Sequence, residues 1–159
     1  MKKIVIVGGS KGIGQAIVNS LQDENLVVNI SRTAPSLPHA NLTHYNCDIL
    51  TDDLPDIDAI DTLIYCPGSI NLKPISRLKL EDFRDDFEIN VIGAVKAVQK
   101  YLPKLKNGVD PSILLFSTVA AKLGMPYHAS IAAAKSAVEG LAKSLGAELA
   151  PTIRVNAIA

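Results

Sequence analysis

Net charge is the first thing this sequence lacks. Sixteen lysine and arginine side chains balance sixteen aspartate and glutamate side chains, so the formal net charge at pH 7 is zero. A chain without excess positive charge has no general electrostatic attraction to nucleic acid or to an anionic membrane surface. We therefore expect neither as a partner, and a small-molecule ligand fits this composition better.

Long apolar runs are also missing. A membrane-spanning helix needs about 20 consecutive apolar residues, and no run in this chain approaches that length. The opening Met1-Lys2-Lys3 leads into only Ile4–Val7 before a glycine, which is too short for the apolar region of a signal peptide. These absences predict a cytoplasmic protein.

Cysteine is scarce, with only Cys47 and Cys66 in the chain. They form neither a C-x-x-C pair nor a dense disulfide framework, so reduced thiols are expected. His39, His44 and Cys47 lie close in sequence, but their spacing matches no usual zinc pattern. We predict no metal site.

What the sequence does contain is an alternation of strand and helix patterns over 159 residues, of which 48% are apolar. Such a chain is expected to form one domain with a sizeable core, and the alternation predicts a parallel sheet. The predicted strands cover about 3–7, 26–30, 42–46, 61–65, 112–117 and 153–158. The predicted helices cover a stretch ending near Asp23, a long stretch from 81 to 105, and 130–150.

Two connections look short for this kind of fold. The segment between Ser31 and Asn41 contains Pro35 and Pro38, which disfavour a helix, so we expect a bare loop there. The link from 47 to 60 is equally short, and parallel crossovers need about a dozen residues. We therefore expect a compact fold with one sheet face thinly covered near the third strand.

The first strand leads into a glycine-rich turn, Gly8-Gly9-Ser10-Lys11-Gly12-Ile13-Gly14, and a helical pattern begins at Gln15. Glycine adopts positive φ freely, and without a Cβ it lets backbone amides and a helix N-terminus come close to a phosphate. The strand-turn-helix order is what makes the glycine pattern informative. It predicts a site for the pyrophosphate of a dinucleotide.

The long helix from 81 to 105 has apolar residues at three- to four-residue steps. Its early turns hold Glu81, Asp82, Asp85 and Asp86, which complement the helix dipole, and we interpret them as a solvated acidic face. The helix at 130–150 carries small residues that permit close helix contact: Ala133, Ala137, Gly140, Ser144 and Ala147.

Three further segments complete a family resemblance: Asn90-Val91-Ile92-Gly93, Leu114-Leu115-Phe116-Ser117-Thr118 and Ala132-Ala133-Ala134-Lys135-Ser136-Ala137. With the glycine turn, their order and spacing resemble the short-chain dehydrogenase/reductases over the whole chain. The resemblance implies a Rossmann-type, doubly wound α/β sheet with helices on both faces. The chain stops just before that family's substrate-binding loop, so we expect a compact, C-terminally truncated domain over 1–159, or a fragment of a longer protein.

The resemblance also implies a cofactor. An acidic residue at the end of the second strand suits NAD(H), whereas a cation there suits a 2′-phosphate. This chain has Ser31-Arg32, and Lys11 matches a second basic position, so NADP(H) is favoured over NAD(H); the alternative is that both cations are ordinary exposed groups. The predicted cofactor-binding residues are Gly8, Ser10, Lys11, Gly12, Ile13, Gly14, Ser31, Arg32, Asp48, Ile49, Gly68 and Lys135. Asp48, matched to the family's adenine-side acid, is alternatively a turn residue that caps the backbone.

At the reacting end, the family uses a tyrosine as proton donor, a lysine four residues later, a serine and an asparagine. Lys135 and Asn90 match the lysine and asparagine, and Thr118 replaces the serine. The tyrosine position holds Ile131, which can do no proton chemistry.

Nearby groups that could take over the tyrosine's role are Tyr127, Ser130, Ser117 and His128. For Tyr127 the alternative is a packed aromatic, for Ser130 a helix cap, and for His128 a solvated side chain. Of these, Tyr127 is named with Asn90, Thr118 and Lys135 in the predicted catalytic set.

A second departure from the family is Tyr65-Cys66-Pro67-Gly68, where asparagines usually brace the central strands. The resemblance thus implies an NADP(H)-dependent carbonyl/alcohol oxidoreductase with an altered proton donor and weakened bracing. The alternative is a catalytically silent NADP(H)-binding sensor or partner subunit. In the family the two long helices commonly build a subunit interface, so a homodimer or homotetramer is expected.

Overall fold

Six short strands form one sheet in the computed structural model, which describes residues 1–159. The strands are Lys3–Val7 (β1), Leu26–Ser31 (β2), Leu42–Asn46 (β3), Thr62–Tyr65 (β4), Ser112–Phe116 (β5) and Arg154–Ile158 (β6). The helices are Gly12–Leu21 (α1), Leu80–Phe87 (α2), Gly93–Leu105 (α3), Ala120–Leu123 (α4) and Ala129–Leu149 (α5). A 3₁₀ turn lies at Ile75–Arg77, and a π-helical turn at Glu88–Ile92 joins α2 to α3. None of the five α-helices is both long and apolar enough for a membrane span.

The strand order is β3-β2-β1-β4-β5-β6, and every neighbouring pair is parallel. The chain builds outward from β1 to β3 and then returns to place β4 on the other side of β1. Val7, at the end of β1, pairs with Ile30 and with Tyr65, so the three carboxyl ends are level. This confirms the Rossmann-type fold, in which ligands bind outside the carboxyl ends where the order reverses.

The two faces of the sheet bury different amounts of apolar surface. Val5 and Val7 of β1 face the larger core beneath α3 and α5, whereas Ile4 and Ile6 face a smaller one beneath α1. The alternation follows from the two-residue period of a strand. Because both faces are covered at the centre, β1 is almost completely buried and holds the turn that follows it in a fixed place.

The predicted bare loop is present, since residues 32–41 contain no helix. The outer strand β3 has no buried residue, and Tyr45 is 38% exposed. The link from β3 to β4 also lacks a helix, but Leu54, Ile57 and Ile60 pack into the larger core. The compact crossovers and the thin cover at the β3 edge are therefore confirmed.

The long helix differs from its prediction in two ways. It is interrupted by the π-helical turn, which buries Asn90 and Val91. Asp86 does not belong to a solvated face: its side chain is completely buried, whereas Glu81 and Asp85 are exposed. The interpretation of Asp86 as a solvated acid was wrong, because loop polar groups meet it from the inner side, as described below.

Candidate functional site

A cavity of about 510 Å³ opens outside the carboxyl ends of β1, β2 and β4, at the reversal of strand order. Its wall contains most of the residues predicted to bind a cofactor: Gly8, Ser10, Lys11, Ser31, Arg32, Asp48, Ile49 and Gly68. The rest of the wall was not predicted to bind a cofactor and consists of Val7, Ile30, Thr33, Cys47, Leu50, Cys66, Pro67 and Ile89. The fold thus brings together residues that are far apart in sequence.

The glycine turn packs tightly against α1. Gly8 has φ of 81°, in the left-handed region that favours glycine, and a Cβ there would lie 3.0 Å from the Pro67 ring. Gly14, in the first turn of α1, is pressed against the Gly8 carbonyl, so a side chain at Gly14 would collide with the turn. This packing holds the N-terminus of α1 beside the cavity, where its free amides favour an anion.

Four residues predicted to bind cofactor are not part of the cavity wall: Gly12, Ile13, Gly14 and Lys135. Gly12 starts α1, three residues before the predicted helix start at Gln15, and has open space around it. The Ile13 side chain is 63% exposed. Any contact from Gly12 comes through its backbone, because it has no side chain.

Asn29, which the sequence did not single out, fixes the glycine turn to β2. Its Oδ1 accepts a hydrogen bond from the Gly9 amide (2.8 Å), and its Nδ2 donates to Ser31 Oγ (2.8 Å). The Ser31 hydroxyl donates to the Thr33 carbonyl, and the Thr33 hydroxyl donates to Ser10 Oγ. The chain of bonds ties the turn to the end of β2 and so fixes the two sides of the cavity relative to each other.

The end of the cavity at Arg32 is polar and open. The Arg32 side chain is 79% exposed, and its Nη1 lies 3.8 Å from Asp48 Oδ2. Such an exposed pair contributes little and is easily exchanged for another anion. Asp48 Oδ1 accepts from the Leu50 amide (3.0 Å), so Asp48 caps a turn and lines the cavity at once. Lys11 is exposed on the same wall.

The other end brings Asn90 and Lys135 together at Gly68. A Cβ built on Gly68 would lie 2.9 Å from Asn90 Oδ1 and 3.5 Å from Lys135 Nζ. Lys135 Nζ donates to the Phe116 carbonyl (2.8 Å), and burial lowers the pKa of Lys135 below its usual 10.5. Asn90 Oδ1 is buried without a partner in the protein. The Lys135 ammonium, a donor, and Asn90 Oδ1, an acceptor, therefore both lie beside Gly68, which has no side chain.

The position that corresponds to the family's tyrosine is apolar and buried. Ile131 is buried at 4% exposure, one helical turn before Lys135 on α5. Thr118 Oγ1 accepts from the Ala120 amide (3.3 Å), which leaves its hydroxyl proton free to donate. Tyr127 is 60% exposed with φ of 68°, so the alternative of a packed aromatic is wrong.

None of the three other nearby polar groups, Ser130, Ser117 and His128, lines the cavity. Ser130 does not cap α5, because the helix begins at Ala129 and buries Ser130 Oγ without a partner. Ser117 Oγ donates to Glu139 (2.7 Å), away from the cavity lining. The His128 ring is bound to the Pro126 carbonyl in an exposed loop.

A polar network braces the site where the family's asparagines are missing. The Tyr65 hydroxyl donates to the Ile89 carbonyl in the π-helical turn (2.6 Å). Asp86 Oδ1 accepts from Ser69 Oγ (2.6 Å) and from Asn71 Nδ2 (3.0 Å). These bonds link β4 and its following loop to the α2–α3 helix, and the sequence pattern alone did not reveal them.

Neither thiol shows signs of reactivity. Burial raises the pKa of Cys66 to about 12, and it raises the pKa of Cys47 as well. His39 pairs with Asp23, His44 with Asn29 and Cys47 with the Asp53 carbonyl. These candidate ligands do not converge, and no group of three or more His, Cys, Asp or Glu side chains is placed to hold a metal.

A dinucleotide fits these residues. The helix N-terminus and glycine turn favour a pyrophosphate, and the partnerless Asn90 Oδ1 and the Lys135 ammonium lie at the far end. Apolar side chains of Ile30, Ile49 and Leu50 form part of the wall near Arg32, where a flat aromatic base would pack.

Comparison with known proteins identifies the family of this chain. The model of the short chain dehydrogenase family matches residues 2–159. The 2,5-dichloro-2,5-cyclohexadiene-1,4-diol dehydrogenase of Sphingobium indicum is 29% identical over 99% of this chain and 70% of its own length. Ligand-free aldohexose dehydrogenase of Thermoplasma acidophilum superposes with a TM-score of 0.86 at 26% identity, covering 98% of this chain and 64% of that one.

A third similar structure is an NADPH-bound short chain oxidoreductase of Pseudomonas aeruginosa with an atypical catalytic centre. It has a TM-score of 0.88 at 23% identity, with 98% of this chain and 69% of that one covered, and at this identity the likeness supports the fold. The chain thus spans about two thirds of the length of the proteins it resembles. With the matched family model, the parallel sheet and the glycine turn, the chain belongs to the short chain dehydrogenase family, whose members are oxidoreductases that bind NAD(P)(H).

Proposed function

We propose that this chain is an NADP(H)-dependent oxidoreductase that interconverts carbonyl and alcohol groups of a small molecule with an altered proton donor. The observation that carries the proposal is that Lys135 Nζ and Asn90 Oδ1 both lie close to Gly68. Gly68 is part of the wall of the cavity that begins at the glycine turn. The relatives named as dehydrogenases support the reaction class.

The adenosine half of the cofactor is assigned to the open end of the cavity. The turn from Gly8 to Gly14 and the α1 N-terminus bind the pyrophosphate. Arg32 and Lys11, with the Ser31 hydroxyl, bind a 2′-phosphate, for which a guanidinium has the matching bidentate geometry. Asp48 and Ile49, which line the same cavity, would hold the adenine.

The nicotinamide half is assigned to the Gly68 end, and when bound it supplies or accepts the hydride. Lys135 donates to the ribose and holds a proton at Nζ. Burial lowers the pKa of Lys135 toward the working pH. Acid-base groups are most effective when their pKa lies near that pH. The Thr118 hydroxyl would donate a hydrogen bond to the substrate oxygen and thereby polarise the carbonyl.

No group stands at the usual tyrosine position. Tyr127, four residues before Ile131 in an exposed loop, is the candidate that would take over the proton transfer. A positioned general acid contributes about a hundred- to ten-thousand-fold in rate, so we expect slow turnover if Tyr127 cannot reach the substrate.

One observation favours a second function. Ile131 is packed at 4% exposure beside Lys135, so the position of the missing phenol is filled by a well-buried apolar side chain. A protein that binds NADP(H) without turnover, as a sensor or as a partner subunit, needs nothing more at this position.

We also propose that the protein is a homodimer or homotetramer. An apolar groove between α2 and α5, about 460 Å³ in volume, is lined by Phe83, Arg84, Phe87, Glu88, Ile92, Ser130, Ala133 and Ala134. Phe87 and Ile92 are 42% and 43% exposed. Contiguous exposed apolar surface of this kind marks interaction sites.

The test of the cofactor assignment is a fluorescence titration with NADPH and with NADH. We expect NADPH to bind at least about tenfold more tightly, the effect of one charged hydrogen bond. Arg32→Ala should remove most of this preference, and Arg32→Asp should reverse it by repelling the phosphate. Arg154→Ala, at the opposite edge of the sheet, is the matched control and should change neither affinity.

Equal affinities in the wild type, or a preference for NADH, would remove the NADP(H) assignment. Binding of neither dinucleotide would remove the proposed function as a whole. Tight NADPH binding without turnover of any aldehyde or ketone would favour the silent binder.

A further inference from the structure

Asp86 is a buried carboxyl group without a cation. Its side chain is completely buried on α2, and none of the eight ion pairs in the structure includes it. Removing a carboxylate from water is costly unless other groups compensate. Part of the compensation comes from loop donors, Ser69 Oγ at 2.6 Å and Asn71 Nδ2 at 3.0 Å, which both donate to Oδ1, whereas Oδ2 is buried without a partner.

The same network reaches Asn90. Asn90 Nδ2 donates to the Asp86 carbonyl (2.8 Å) and to Ser69 Oγ (3.3 Å). With its nitrogen held on this side, the amide presents Oδ1 toward Gly68 and Lys135. The Ser69 hydroxyl therefore links two residues of one helix, since it accepts from Asn90 and donates to Asp86.

The loop that these bonds hold is the one that borders the reaction end. Gly68 lies directly before Ser69, and both Asn90 Oδ1 and Lys135 Nζ lie close to the position that a Cβ on Gly68 would occupy. Asp86 Oδ1 accepts two hydrogen bonds from this loop, so a buried side chain of α2 holds the segment that follows Gly68. Together with the bond from Tyr65 to the Ile89 carbonyl, Asp86 braces the site where the family's asparagines are missing.

We propose that Asp86 is a positioning residue for the nicotinamide half of the cofactor. Through Ser69 it fixes both the Gly68 backbone and the orientation of the Asn90 amide, without touching the cofactor itself. The inference rests on the proposed NADP(H) binding. It makes a separate claim, because the adenosine half is bound by residues that have no contact with Asp86, including Ser31, Arg32 and Asp48.

The test compares two ligands on four variants of the full chain. NADPH spans both halves of the site, whereas 2′,5′-ADP carries only the adenosine half with its 2′-phosphate. Asp86→Leu removes the acceptor at similar shape, Ser69→Ala removes the link, Asp86→Asn keeps an acceptor oxygen, and Asp85→Asn is the exposed control on the same helix. Isothermal titration calorimetry gives the affinities, and thermal unfolding confirms folding of each variant.

We expect Asp86→Leu and Ser69→Ala to weaken NADPH binding about tenfold, the effect of leaving a buried hydrogen-bonding group without its partner. Binding of 2′,5′-ADP should stay within about twofold of the wild type, because the same bonds do not reach that half. Asp86→Asn should recover most of the NADPH affinity, and Asp85→Asn should match the wild type. A purely structural role would weaken both ligands together.

Several results overturn the inference while leaving the cofactor assignment intact. These are equal loss of both ligands, no loss of NADPH affinity in a folded Asp86→Leu or Ser69→Ala variant, or failure of Asp86→Asn to recover. If Asp86→Leu does not fold, Ser69→Ala decides alone. If the wild type binds neither ligand, the proposed function fails and the role of Asp86 fails with it.

Discussion

Lys135 occupies a place that is unfavourable for its own charge. The side chain is largely buried, and its ammonium is bonded to one backbone carbonyl, that of Phe116. Burial lowers the pKa of Lys135 below 10.5, which means that folding favours the neutral amine relative to the unfolded chain. Positions where burial perturbs a titratable group in a cleft are typical of functional sites, and the cost to stability is measurable.

Lys135→Met should therefore alter stability in a pH-dependent way. Below the folded pKa the wild type carries the full cost of a buried ammonium. Between that pKa and 10.5 the unfolded chain binds more protons than the folded one, so the wild-type free energy of unfolding rises with pH. The methionine variant should have its largest relative stability at about pH 7 and lose that advantage as the pH approaches 10.5.

Urea unfolding of both proteins across this range measures the difference. Lys143→Met, an exposed change on the same helix, is the control and should show no such trend. A difference between wild type and Lys135→Met that stays flat with pH would show that burial does not perturb this lysine.

Among the contacts between elements, the packing of α1 on the glycine turn defines the anion site. Gly14→Ala places a methyl group against the Gly8 carbonyl, and such overpacking costs about 1–3 kcal/mol. We expect lower unfolding free energy and weaker NADPH binding, because the helix N-terminus must move away from the turn.

Gly140→Ala is the matched control for that substitution. Gly140 lies on α5, and a Cβ at this position would have nothing within 4 Å, so alanine there should stabilise the helix by about 0.5–1 kcal/mol. Chemical denaturation separates the two effects. Equal tolerance of both alanines would mean that the turn and α1 do not pack as tightly as the structure indicates.

How far the sequence predicts these elements depends on whether the cause is local. The proline-containing loop after β2 and the apolar runs of the strands are local, and both were predicted correctly. The π-helical turn at Glu88–Ile92 accepts a hydrogen bond from Tyr65, and the buried Asp86 accepts from Ser69 and Asn71; all of these donors come from another segment. The helical periodicity of α2 could not predict those partners.

The same distinction between local and long-range causes applies to the candidate site. The glycine turn and Lys135 belong to short motifs, so the sequence located them. Asn29 was missed because its bonds to Gly9 and Ser31 appear only when β2 lies beside β1. Ser130 was misassigned as a cap because α5 starts at Ala129, and a shift of one or two residues at a helix end decides which side chain can cap.

For the molecule as a whole, the α2–α5 groove predicts self-association. Light scattering of the wild type should give a dimer or tetramer mass, since Phe87 and Ile92 together expose apolar surface there. Phe87→Arg places a charge in that surface and should give a monomer. Val109→Arg, at a 72% exposed loop position, is the control and should keep the wild-type mass; a monomeric wild type would exclude this interface.

Turnover with an altered proton donor can be tested directly, because the proton-donor position can be restored. Ile131→Tyr adds a phenol one helical turn before Lys135, and Ile131→Phe adds the same ring without the hydroxyl. The measurement is NADPH oxidation with a panel of simple aldehydes and ketones, at saturating NADPH, for the wild type and both variants, with Tyr127→Phe as a fourth protein.

We expect slow reduction by the wild type, further slowing by Tyr127→Phe, and an increase of about tenfold or more with Ile131→Tyr that Ile131→Phe does not reproduce. Fast reduction by the wild type that neither Tyr127→Phe nor Ile131→Tyr changes would contradict the proposed mechanism, because the proton would then come from a group outside the proposed site.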